Sequence, residues 1–391
     1  MPEPFRAMHI VVAPDSFKGS LSAPDAARAI AEGWRRVHST DRLNALPVAD
    51  GGEGTIDAII SAAGGTLPHL PVSGSLPGRD RLAYFGSVGD GSTVIVELAQ
   101  AAGLTLVPAA ERDPKRATTY GVGTLIRAAL VQPNAAHLAV ALGGSATNDG
   151  GAGMLQALGV RLLDANDREI GRGGAELARL VRADFSAAER APGFAVTLAC
   201  DVDNPLLGAR GASGVFGPQK GATADDVVLL DAALAHFADV LTRATGRDVR
   251  DIPGAGAAGG AAAGLLWLFP QAVLRPGIEI VLDAIRFDEV AGGADVVIVG
   301  EGRLDAQTLG GKAAAGVLRR AATVAPRARR IALVGTVEGD RAALARALGL
   351  DAIHALTDIA PSPAAAIANA AAYLSALAER AAREPAIGGG A

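Results

Sequence analysis

The chain has 391 residues, of which 20% are charged and only 4% aromatic, with 50 glycines, one cysteine and a formal net charge of −5. That length allows two or three domains with large cores, while the acidic balance provides no basic footprint for nucleic acid or an anionic membrane. The lone Cys200 excludes an internal disulfide, residues 8–13 are too short for a signal peptide, and the uncharged run 254–269 falls short of the about 20 residues of a membrane span, so a soluble cytoplasmic protein is expected.

Residues 9–13 (His-Ile-Val-Val-Ala) read as a buried strand, followed by a polar loop at 14–22 and a helical period over 23–37. Residues 44–48 predict a second strand, which runs through Asp50-Gly51-Gly52-Glu53-Gly54 into a helix over 55–63. Strand, polar glycine loop and helix in succession predict a parallel sheet with ligands at the C-terminal ends of its strands. After residue 70 the pattern changes: 81–86 and 92–97 flank a Gly89-Asp90-Gly91 turn, which predicts an antiparallel hairpin. The apolar run 135–142 then leads through Gly143-Gly144-Ser145-Ala146-Thr147-Asn148-Asp149-Gly150-Gly151 into a helix over 152–160. Residues 194–200 form a further strand, and 254–269 a buried Ala/Gly-rich helix. From residue 295 the first pattern returns, with 295–299 running into Gly300-Glu301-Gly302-Arg303, 330–334 into Gly335-Thr336, and 352–356 as a last strand.

The expectation is an α/β protein of two α/β domains. One is a discontinuous Rossmann-like parallel-sheet domain (residues 1–72 plus 286–391); the other is an inserted mixed α/β domain (residues 73–285), with the active-site cleft between them. Residues 384–391 read as a flexible tail.

The chemistry lies in the loops. Gly143 to Gly151 sets Ser145, Thr147, Asn148 and Asp149 between glycine pairs, a composition suited to an anionic ligand at a helix start. Asp15, Ser16 and Lys18 follow the first strand: the lysine can clamp a phosphate and the carboxylate can hold Mg²⁺ or a hydroxyl, or the loop merely caps the next helix through Ser22. Asp50 and Glu53 are open to metal or hydroxyl binding, or to a capping pair. Asp201, at a strand end, can accept the proton of an attacking hydroxyl, with Lys220 nearby in sequence; a plain Asx turn is the alternative. Gly254 and Gly256 sit in a formal dinucleotide fingerprint, but charged residues 247–253 precede it instead of a buried strand, so phosphate contact or close packing is preferred. Glu301, Arg303 and Asp305 add two carboxylates and an arginine that either grips an anion or pairs internally. Gly310-Gly311-Lys312 lacks the spacing and hydroxyl of a Walker loop, the six histidines show no zinc spacing, and no nucleophile elbow is present. Carboxylates, Mg²⁺ and a few cations are the requirements of phosphoryl transfer.

The ordered set of segments 13–18, 48–54, 143–151, 199–205, 216–222, 251–260 and 300–305 resembles the type-1 glycerate kinase family, from about residue 8 to about residue 375. Tyr120, Thr124 and Ala314 depart from the family's pattern. The resemblance implies an ATP- and Mg²⁺-dependent kinase that phosphorylates D-glycerate to 2-phosphoglycerate. On it, Asp201 and Lys18 are the expected catalytic residues, and Asp15, Ser16, Asp50, Glu53 and Arg303 bind substrate. Gly143, Gly144, Ser145, Thr147, Asn148, Lys220, Gly254, Gly256 and Glu301 contact phosphate or nucleotide, and Asp149 and Asp305 hold metal. Partners are small molecules, with no nucleic acid or membrane, and a homo-oligomer is left open. The runners-up are a kinase that forms 3-phosphoglycerate or acts on another sugar acid, and a non-catalytic module binding a hydroxy acid or nucleotide.

Overall fold

The structure, a computed structural model, describes residues 7–310 and 313–384; Gly311, Lys312 and the segment 385–391 of the expected tail lie outside it. The chain forms two compact units. The first comprises residues 1–50, 57–64 and 278–391, and the second residues 51–56 and 65–277.

The first unit is built on a five-stranded, wholly parallel sheet in the order Ala352–Ala355, Arg329–Val337, Val296–Leu304, His9–Pro14, Arg42–Ala45. Numbered within the unit this is 2-1-3-4-5, a doubly wound order whose direction reverses between His9–Pro14 and Val296–Leu304. Ligand sites of such sheets form outside the carboxyl ends of the strands at that reversal. Ile10, Val12, Ile298, Ile331 and Leu333 supply a buried face, covered by helices Ala23–Arg35 and Ala370–Arg383. The two helices approach closely because Gly33 has no side chain: a Cβ there would lie 2.1 Å from the Ser375 carbonyl oxygen. The first helix begins where Ser22 accepts the Asp25 amide, so the Ser22 cap is real.

Two strands run longer than expected. Val296–Leu304 and Arg329–Val337 each run to nine residues, so Gly300, Glu301, Gly302 and Arg303 continue a strand instead of forming a loop, as do Gly335 and Thr336. Glycine suggests a break, but the glycines here are what keep the pairing close: a Cβ on Gly335 would sit 2.3 Å from the Gly302 carbonyl oxygen. The second strand ends at Ala45, earlier than the expected residue 48, although Leu46 and Val48 still donate to the Val12 and Pro14 carbonyls.

The second unit carries a six-stranded mixed sheet in the order Val273–Arg275, Ala195–Ala199, His137–Ala141, Thr93–Glu97, Gly86–Val88, Gly65–Thr66. The first four strands pair in parallel, and the two remaining pairings, of Gly86–Val88 with Thr93–Glu97 and with Gly65–Thr66, are antiparallel. The Gly89-Asp90-Gly91 hairpin forms, but its first strand is Gly86–Val88; residues Asp80–Tyr84 pair instead with His69–Ser73 in a separate ribbon. The expected helix over 254–269 is shorter, Ala261–Leu268, all of it buried, and a tight turn at Ala257–Gly260 precedes it. Gly259, at φ +68, lies so near the Gly143–Gly151 loop that a Cβ would be 2.0 Å from the Thr147 carbonyl. Close backbone packing therefore accounts for this glycine run, and no helix among the described residues is long and apolar enough to cross a membrane.

Candidate active site

In the first unit, a cavity of about 510 Å³ opens at the carboxyl ends of the parallel strands and is lined by Asp15, Ser16, Lys18, Asp50, Glu301, Arg303 and Gln307 among others. Asp15 follows the first strand directly, and its amide donates to the Gly300 carbonyl at 2.8 Å. Phe17 is buried and paired with Leu21, so the turn between them lifts Lys18 and Gly19 to the surface. Gly19, at φ +80, takes a left-handed conformation that its type supplies without strain. Burial and, next, the charge of Asp50 push the Asp15 carboxyl up to about 7, against the pull of the Ser16 hydrogen bond and Lys18.

Not every expected residue is available there. Glu301 is buried and its Oε1 accepts the Thr308 hydroxyl at 2.9 Å. Asp305 accepts the Gln307 amide and pairs with Arg303 Nε at 3.0 Å, while the other end of Arg303 reaches Glu338. The internal pairing alternative thus describes Arg303 and Asp305 better than a free anion clamp.

In the second unit, the Gly143–Gly151 loop is mostly sealed. Thr147, Asn148 and Asp149 have no exposure, and only its first residues, around Gly144, reach the surface. Asp149, expected to hold metal, spends its carboxylate oxygens on protein donors: the Thr119 amide and hydroxyl and the Gly151 and Gly153 amides. That bracing orders the loop and explains the departure at Tyr120. The hydroxyl task belongs to Thr119, and Tyr120 instead packs under Arg172, whose guanidinium carbon lies 3.4 Å from the ring centroid. Thr124 turns its hydroxyl to the Tyr120 carbonyl, and Ala314 is buried in the first unit.

Lys220 is the unusual member. Its side chain is buried, and Nζ donates to Ser145 Oγ at 2.8 Å and to the Thr147 carbonyl at 2.6 Å. Burial lowers the ammonium to about 7, only partly opposed by Asp149. Thr147 Oγ1 and Asn148 Oδ1, beside it, are buried without a partner, whereas Asn148 Nδ2 donates to Ser213. The remaining expectations scatter. Asp201 is exposed and one oxygen accepts the Gly277 amide at 2.9 Å; Glu53 is exposed and meets Thr105; Gly254 and Gly256 are buried against Cys200 and Pro205 instead of facing a ligand. Cys200 is partly buried, its thiol raised by burial, which fits an inert residue.

Sequence reasoning missed Glu97. It is buried at the end of Thr93–Glu97, and its Oε1 accepts the Ile56 amide at 2.6 Å. A carboxylate closing an otherwise apolar strand was the signal that could have found it.

A sequence profile of the Glycerate kinase family matches residues 10–385. The chain belongs to the glycerate kinase family. It is 46% identical over 378 residues to "Glycerate kinase" of Bacillus subtilis (strain 168), covering 96% of each chain. It is 49% identical over 311 residues to "Glycerate 2-kinase" of Escherichia coli (strain K12), covering 79% of this chain and 81% of the other. Among solved structures it resembles a candidate glycerate kinase 2 from Salmonella typhimurium LT2, with TM-score 0.84, 42% identity, and 96% and 98% of the two chains covered. The protein is therefore a kinase of this family, with an α/β fold and small-molecule substrates.

Proposed function

We propose that the protein transfers the γ-phosphoryl group of ATP to D-glycerate and yields 2-phosphoglycerate. The observation that carries this reading is the Asp15–Asp50–Lys18 set in the cavity at the sheet's reversal point. Phosphoryl transfer needs positioning, a group to receive the hydroxyl proton, and positive charge near the transferring phosphoryl; little covalent chemistry is asked of the protein.

Lys18 supplies a surface cation at that cavity. Asp15, held near 7, suits a group that is ionised enough to take a proton at working pH and basic enough to keep it. Asp201 is the second candidate for this base, supported by its exposed carboxylate at a strand end. Ser16, on the same loop, lines the cavity and would meet substrate hydroxyls there. Buried Lys220, through Ser145 and the Gly143–Gly144 backbone, is assigned to anion binding in the second unit. Mg²⁺ characteristically takes one or two carboxylates and completes its shell with water and phosphate. No cluster of three metal-binding side chains occurs among the described residues, and Asp50 at the cavity matches that smaller demand, with Asp15 kept for the proton and Asp149 left to its structural bonds. When bound there, Mg²⁺ would offset phosphate charge. We further assign the protein to the cytoplasm on its single cysteine and acidic composition, and its two compact units to two domains.

The test is a phosphorus NMR spectrum after incubation with D-glycerate, ATP and Mg²⁺. A new phosphomonoester doublet, split by the single proton at C2, supports the reading. A triplet from the C3 methylene retains the kinase and transfers the regiochemistry to C3. Intact ATP alongside an active control enzyme overturns the acceptor.

A further inference from the structure

The cavity of the first unit is too large for its polar groups alone. Glycerate, with seven non-hydrogen atoms, needs on the order of 120 Å³, the room of roughly four waters. The cavity measures about 510 Å³. Beside polar groups such as Asp15, Ser16, Lys18 and Asp50, its lining includes the aliphatic Leu356, Pro363, Ala366 and Ile367. Leu356 and Ala366 are buried, whereas Ile367 is 58% exposed and lines the cavity beside them. The short helix that carries Ala366 and Ile367, Pro363–Ala368, is anchored by Ser362, which accepts the Ala365 amide. A cavity lined by both aliphatic side chains and carboxylates suits a flat heteroaromatic ring attached to a polyhydroxyl sugar.

We infer that the Leu356–Pro363–Ala366–Ile367 wall is the seat of the adenine ring of ATP, with the ribose directed toward the polar groups. This rests on the reading of the protein as an ATP-using kinase. Adenosine has nineteen non-hydrogen atoms, so by the same scale it occupies roughly 330 Å³, which the cavity can hold. The wall consists of aliphatic side chains and offers the base no charged partner, so its grip is apolar. Gln307, at the cavity edge, is the amide placed to meet polar atoms of the nucleoside.

The experiment uses the full chain with Ile367→Glu, a substitution at an exposed position of the lining, and Leu82→Glu, an equally exposed apolar site elsewhere, as control. Adenosine, which has no phosphate, is the probe. The expected result is that adenosine competes with ATP in the wild type, and that Ile367→Glu raises KM for ATP at least tenfold and leaves KM for glycerate within twofold. Leu82→Glu changes neither. An unchanged KM for ATP, an equal rise in both KM values, or a failure of adenosine to compete overturns the assignment. Saturation-transfer NMR from protein methyls to the adenine protons reads the site without turnover. A wild type that makes no phosphoglycerate but transfers saturation to adenosine, lost in Ile367→Glu, sinks the kinase reading and keeps the adenosine site. Absence of transfer in the wild type sinks the site itself.

Discussion

Lys220 Nζ lies 2.8 Å from Ser145 Oγ, so a buried lysine donates to a buried hydroxyl next to the exposed Gly144 of the Gly143–Gly151 loop. An amine lowered to about 7 by burial is ready to take up a proton when an anion arrives beside it, since an opposite charge favours the charged form. Lys220→Met should cut turnover by about 100-fold, the typical cost of losing one fixed donor to a developing anion. The stability effect has a definite sign. Between about 7 and the ordinary 10.5 the unfolded chain holds a proton that the folded chain has released, so the wild type gains stability as pH rises through that window. Thermal melts of both proteins at pH 7 and pH 10 should show the wild type gaining on Lys220→Met, with a slope near 1.4 kcal/mol per pH unit at most. A difference independent of pH would mean that Lys220 is charged throughout.

Asp15 makes the second prediction. If it must be ionised to receive the hydroxyl proton, kcat/KM for glycerate falls on the acid side with a limb near 7. Asp50→Asn removes a raising charge and should move that limb down, whereas Lys18→Met removes a lowering one and should move it up. Because the raised carboxyl binds its proton more tightly when folded, its contribution to stability is full below 3.8 and is lost as pH rises through about 7. An acid limb that ignores both substitutions would remove Asp15 from the chemistry.

How far the sequence was readable depends on the kind of signal. His9–Pro14 and the helix Thr55–Ala63 follow from apolar periodicity and glycine-flanked ends, which are local. The Gly300–Arg303 segment misleads because its glycines serve close strand pairing, a non-local need that looks like a turn in one dimension. The polar loop at Gly143–Gly151 reads in one dimension as a binding loop, yet most of its side chains face inward: Asp149 is consumed by Thr119, thirty residues away. Glu97 was missed for the same reason, since its partner Ile56 is distant in sequence. Burial, which sets the state of Lys220 and Asp15, is invisible until the chain is folded.

The turn at Ala257–Gly260 offers a structural test. A Cβ at Gly259 would meet the Thr147 carbonyl at 2.0 Å, and the residue already sits at φ +68. Gly259→Ala should destabilise by about 3 kcal/mol or more through combined clash and strain. Gly54→Ala is the control, at φ +91 but with nothing within 4 Å of the new methyl; it should cost only about 1 kcal/mol. Urea unfolding monitored on the two tryptophans gives both numbers. Equal costs would show that contact with the Thr147 carbonyl is relieved by relaxation.

Asp201 and Asp15 compete as the base, and one pair of variants separates them. Asp201→Asn retains an oxygen to accept the Gly277 amide, so the strand-end loop should keep its shape and the protein its melting temperature. If Asp201 takes the hydroxyl proton, turnover drops about 100-fold or more with KM for ATP little changed. If Asp15 does so, Asp15→Asn shows that loss and the acid limb disappears from the residual activity, while Asp201→Asn remains within about tenfold of wild type. The pH profile is the discriminating readout, because only removal of the titrating group abolishes its limb. Loss of the limb in Asp201→Asn, with Asp15→Asn still titrating, would return the role to Asp201 and leave Asp15 to hold substrate or metal.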